Sequence, residues 1–192
     1  MQTLVDWLIG AIPELLLVAA AVAAASAVVV GARSRRMSMR DAIAATLPDA
    51  ALGLSAALIL VLTLRPGPEF EGERTTLNLV PFREQYLDWT QRAGPLAAVA
   101  EAVGNLAVFV PLGAAVAWRF GRLRGRDAAI GFVAFSLAIE VAQLLFGQRR
   151  TADITDLLLN TSGAMLGFGF GARRWRVSRR DSLQRPRTGR YP

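Results

Sequence analysis

Five stretches of this chain are long and apolar enough to be helices that cross a bilayer. They run from Trp7 to Ala32, Ala42 to Leu64, Leu96 to Trp118, Ala128 to Phe146 and Ile154 to Ala172. About 20 mostly apolar residues span the hydrocarbon layer. Lipid also offers no partner for a free backbone N–H or C=O, so such segments fold as helices. The fold class that follows is all-α, a polytopic membrane bundle of five transmembrane helices. Hydrophobic residues make up 53% of the chain, more than a water-solvated domain of this size needs.

The charge pattern orients the bundle. Lys is absent, so every basic residue is Arg. Arg33, Arg35, Arg36 and Arg40 follow the first span; Arg119, Arg122, Arg124 and Arg126 follow the third; and Arg173, Arg174, Arg176, Arg179, Arg180, Arg185, Arg187 and Arg190 follow the fifth. The remaining segments hold Arg65, Arg74, Arg83, Arg92, Arg149 and Arg150. Basic loops stay on the cytoplasmic side. The N-terminus is therefore expected outside and the C-terminus in the cytoplasm of a multi-pass protein of the cell membrane. No Arg precedes the first apolar run, so that run reads as a retained helix and not a cleaved signal. The organisation expected is a first helix and loop over 1–41, a membrane domain over 42–172 and a disordered basic tail over 173–192. A basic tail placed after a span contacts anionic lipid. The partner implied is thus the bilayer and not nucleic acid.

Composition also removes chemistry. Without Cys or His there is no thiol nucleophile, no thiolate or imidazole metal site and no histidine general base. Carboxylates, amides, hydroxyls and Arg remain. No metal or cofactor is expected, since no nucleotide or metal motif of established spacing is present.

One long segment, from Arg65 to Pro95, is expected outside. Its first half is rich in Pro and Glu. Its second half contains Asn78, Pro81 and Phe82, and places Phe82, Tyr86 and Trp89 at spacings of four and three. That spacing predicts a short helix with one aromatic face, lying at the outer membrane–water boundary.

Ionisable and amide groups inside spans are costly and usually face a bundle interior or a cavity. Glu101 and Asn105 share a face of the third span, and Glu140 and Gln143 share one of the fourth. Asp153, Asp156 and Asn160 share one side of the start of the fifth. All fall toward the outer ends of their helices. They predict one outward-facing polar pocket, with Arg149 or Arg150 as counter-charge. A plainer reading stands beside it: Asp153 as a helix cap, Asp156 as a first-turn acid and Asn105 as an interhelical hydrogen bond. Glu14 and Asp49 lie in or near spans but away from this pocket. Gly163, Gly167 and Gly171 recur every four residues, which permits close approach of a second helix. That helix belongs either to the same chain or to another.

From about Leu58 to Gly171 the sequence resembles the VanZ-like family of bacterial membrane proteins. The resemblance rests on Asn78-Leu79-Val80-Pro81-Phe82 and on Gly104-Asn105 through Phe109, Pro111 and Gly113. Glu140 with Gln143, and then Arg150, Asp153, Asp156, Asn160 and Gly163, complete it. Spacing to Asp153 favours Arg150 for the family's arginine; Glu101 enters the pocket from its place in the span. The resemblance implies a multi-helix membrane protein associated with low-level resistance to the glycopeptide teicoplanin.

Three kinds of function fit these residues. One is an envelope factor that binds a lipid-linked or amphiphilic ligand. Another is a membrane enzyme using paired carboxylates on a lipid-linked or phospho-substrate. The third is a proton-coupled transporter, against which stand the outer confinement of the acids and the lack of an inverted repeat. Sequence leaves the oligomeric state open.

Overall fold

A computed structural model describes residues 4–65, 77–91, 94–145 and 152–184. It is helical almost throughout: α1 (Leu4–Ser34), α2 (Met39–Leu64), α3 (Arg83–Thr90), α4 (Pro95–Arg119), α5 (Gly125–Leu145) and α6 (Ile154–Gln184). Two short strands, β1 (Leu77–Asn78) and β2 (Ala152–Asp153), pair in parallel.

Local chemistry sets several helix ends. Asp6 lies in the first turn of α1 and Arg33 in the last, as the helix dipole favours. Ser38 caps α2 by accepting the Asp41 N–H at 3.2 Å while its hydroxyl donates to the Asp41 carboxylate. Gly94, at φ 85°, turns the chain into Pro95 at the first position of α4, where a missing N–H costs nothing. Inside the helices, hydroxyls turn back on their own backbone. Ser26, Thr46, Ser55 and Thr63 each donate to the carbonyl four residues earlier, which satisfies them where water is absent.

Among the described residues, four helices are long and apolar enough to cross a membrane: Ile9–Ser34 within α1, Met39–Leu64, Pro95–Arg119 and Gly125–Leu145. The fifth expected span falls within α6, which does not reach that standard. Asp156, Asn160, Thr161, Ser162 and a run of glycines dilute its first half, and arginines fill its second. Nor does α6 stop near Ala172. It continues to Gln184, so this part of the expected disordered tail is helical; 185–192 lie outside the described residues.

The bundle centres on α4 and α6. Buried Phe109, Leu112, Phe132, Ile139, Ala164 and Phe168 form its core with Ile59 of α2. Phe109 meets Phe135 edge-on, as Phe132 meets Phe168, an arrangement favoured by the ring quadrupoles. Much of the remaining surface is apolar, including Leu16, Leu17, Val28, Ile130, Leu137, Leu145 and Phe170. Exposed hydrophobics on this scale suit a lipid solvent and not water.

The glycines of α6 have their partner inside the chain. A Cβ on Gly163 would stand 2.0 Å from the carbonyl oxygen of Leu106, and one on Gly167 would stand 1.9 Å from that of Val110. Gly113 of α4 returns the relation, since its Cβ would meet the Ala164 carbonyl at 1.8 Å. The two backbones are therefore in direct contact along most of α4.

Ion pairs fasten the ends. Asp49 of α2 bonds Arg33 of α1 at 3.1 Å and also Arg119 of α4. Arg33 reaches the Ala45 carbonyl and the Thr46 hydroxyl as well. At the other end of α1, Glu14 approaches Arg65 at 3.9 Å. Gly10 leaves room for that guanidinium, which a Cβ would meet at 2.6 Å.

Candidate functional site

The start of α6 gathers the polar residues. Asp153 is buried, and its carboxylate accepts three hydrogen bonds. Oδ1 accepts the Thr155 N–H and the Thr155 hydroxyl, each at 2.8 Å. Oδ2 accepts the Asn78 amide at 3.1 Å. Asp153 thus caps α6, as the plainer sequence reading allowed, and also pins the distant α2–α3 segment. The Asp153 N–H in turn donates to Glu140 of α5 at 3.3 Å.

The Asn78–Phe82 motif acquires a physical role here. Asn78 uses one end of its amide on Asp153 and accepts the Val80 N–H with the other, at 3.1 Å. Phe82 is the single non-glycine residue with positive φ among the described residues, at φ 61° and ψ 15°. Left-handed backbone is unfavourable for a bulky residue. The Thr155 hydroxyl holds it there by accepting the Phe82 N–H at 2.8 Å. Thr155 is fully buried between the two segments. Thr155 is missing from the residues that the sequence singled out; an Asp-x-Thr at a helix start is the signal that was available.

Helix α3 follows directly. Phe82, Tyr86 and Trp89 are all exposed, with Leu77, Leu79 and Val80 beside them, while Gln85 is buried. The expected aromatic face is present.

One turn further along α6, Asp156 accepts the Asn105 amide of α4 at 2.5 Å. On α5, Gln143 is buried and donates to the Thr63 carbonyl of α2 at 2.7 Å, which draws α2 into the cluster. Below these, Asn160 donates to the Ser136 hydroxyl of α5 at 3.1 Å. Ser136 is fully buried. It also escaped the sequence reading, although Ser136, Glu140 and Gln143 lie on one helical face at spacings of four and three.

The structure thus brings together Asn78, Asn105, Glu140, Gln143, Asp153, Asp156 and Asn160. Glu101 of α4 makes no hydrogen bond or ion pair among the described residues, but it lies within electrostatic reach of the cluster. Its electrostatic neighbours are the acids Asp156, Asp88, Asp153 and Glu84. Arg149 and Arg150, expected as counter-charges, lie outside the described residues. No group of three or more acidic side chains able to hold a metal ion occurs among the described residues.

Chemically, the cluster is a set of positioned hydrogen-bonding groups. Together the contacts tie the segment around Asn78–Phe82 to α5 and α6, and α6 to α4.

A protein-family model described as VanZ/LLP1 matches residues 51–173, which takes in α3, both strands and every residue of this cluster. No curated protein and no solved structure matches the chain.

Proposed function

This chain belongs to the VanZ-like family, and on that premise we propose that it is a non-catalytic factor of the cell envelope. It binds a lipid-linked or amphiphilic ligand at the polar cluster around Asp153, and the cluster faces outward. Within the family's setting the ligand is a wall precursor or the lipid tail of a teicoplanin-type glycopeptide, and binding contributes to drug tolerance.

The observation that carries this reading is the joint between Asn78, Asp153 and Glu140. It suspends the aromatic segment around Phe82, Tyr86 and Trp89 beside a buried polar cluster. An amphiphile needs such a pairing, with apolar surface at the interface and hydrogen bonds beneath it.

Five crossings fit better than four. Helix α6 lies against α4 from Gly163–Leu106 through Gly167–Val110 to Gly171–Ala117. That contact sets α6 alongside a spanning partner from Leu106 to Ala117, which favours a fifth crossing. An odd number of crossings also leaves the basic segments after α1, α4 and α6 on one face, which the positive-inside rule makes cytoplasmic.

The test is Glu140→Gln. On this reading it changes teicoplanin tolerance and weakens ligand binding, and no product accumulates. Unchanged tolerance together with unchanged binding refutes the ligand site. Turnover of a lipid-linked substrate by purified protein, abolished by the same substitution, replaces it with an enzyme.

A further inference from the structure

The polar cluster does not end at the acids. Beneath the Asn105–Asp156 bond, Asn160 and Ser136 face each other across α5 and α6, and below them come Phe132 and Phe168. Asn160 is 4% exposed. Its Nδ2 is spent on Ser136, and its Oδ1 has no partner among the described residues. The free end is thus the carbonyl oxygen, an acceptor. In a bilayer such an atom cannot borrow a hydrogen bond from solvent, so leaving it unmet is expensive. Phe132 and Phe168 below offer nothing, and Thr161 Oγ1, next in the chain, is likewise buried without a partner among the described residues.

We infer that the Ser136–Asn160 pair is the floor of the ligand site and that it takes a neutral hydrogen-bond donor. That donor is a hydroxyl or amide of the bound molecule, replaced by water when the site is empty. The inference rests on the proposed ligand site and deepens it. The charged portion of the occupant stays at the level of Glu140, Asp153 and Asp156, while an uncharged donor reaches one turn deeper. A water-holding floor needs at least two polar partners, and Ser136 Oγ with Asn160 Oδ1 supplies them. It also explains why α5 carries a serine in an otherwise apolar stretch, Phe135 to Ile139.

The chain has no cysteine, so Ser136→Cys is a nearly isosteric reporter. It would be measured in nanodiscs with a charged, water-soluble methanethiosulfonate, which reaches both faces of the membrane. Ile139→Cys, equally buried on the same helix but without a polar partner, is the control. Ser136→Cys is expected to react about tenfold faster or more, as a wetted site should against a dry one. Equal and negligible rates at both positions overturn the inference and make Ser136–Asn160 a closed interhelical bond. If Ser136→Cys does not fold, Asn160→Cys serves in its place under the same criterion. Neither outcome depends on Glu140→Gln. A reactive floor with unaltered tolerance keeps the wet crevice and rejects the functional reading, and an unreactive floor with altered tolerance does the reverse.

Discussion

Replacing Gly167 with Ala adds one methyl group, and the structure says where it goes. The new Cβ falls 1.9 Å from the Val110 carbonyl oxygen, 2.8 Å from its carbon and 3.0 Å from the Ala114 nitrogen. All three are backbone atoms of α4, so no side-chain rotation relieves the overlap. Ordinary contact requires α4 and α6 to part by roughly 1.5 Å, which loosens the packing at Gly113, Gly163 and Gly171 as well. Overpacking costs about 1–3 kcal/mol where neighbours can adjust; two apposed backbones place Gly167→Ala at the upper end. A loss of about 3 kcal/mol lowers the folded-to-unfolded ratio by roughly a hundredfold. Gly169→Ala, two residues on, is the internal control, because a Cβ there meets nothing within 4 Å. It should be neutral or stabilise by up to about 1 kcal/mol, as replacing a helical glycine does. Reversible unfolding in detergent–SDS mixtures measures both. Equal stability of the two variants refutes the direct backbone contact of α4 with α6.

Other consequences follow from single contacts. Thr155→Val leaves the Phe82 N–H and one Asp153 hydrogen bond unmet, costing about 1–3 kcal/mol; limited proteolysis between α2 and α3 should accelerate, and Thr155→Ser should restore protection. Phe82→Gly releases the left-handed strain at φ 61° and should raise stability in detergent by about 1 kcal/mol, read from the same unfolding titration. Asp49→Asn removes the pairs with Arg33 and Arg119, but these groups are partly exposed; the loss should stay at or below about 1 kcal/mol and shrink further as salt is added.

Much of this architecture is legible in the residues because lipid imposes so few solutions. The apolar runs corresponding to α1, α2, α4 and α5 announce themselves by length. The shared faces of Glu140 with Gln143, and of Asp156 with Asn160, follow from helical spacing, and the structure does collect them. Periodicity fails where a position is ambiguous about its face. Glu101 shares a side with Asn105 by spacing, yet only Asn105 reaches Asp156. Pairing between Asn78 and Asp153 joins residues 75 apart through strands two residues long, too short to leave a pattern. The small-residue repeat of α6 shows that a helix packs there but not which one, because its complement is the carbonyl row of α4, which no side chain encodes. Helix α6 itself is misjudged at its far end, since Arg has good helix propensity and the charges that stop a membrane span need not stop a helix.

The account turns on the outer connection and the polar cluster lying on the extracellular side. Thr90, exposed at the end of α3, and Arg124, exposed between α4 and α5, mark the two faces. Each would be replaced by Cys and exposed in intact cells to a membrane-impermeant thiol reagent. Thr90→Cys should react directly, and Arg124→Cys only after permeabilisation. The reverse pattern would put the cluster in the cytoplasm and contradict an extracellular ligand.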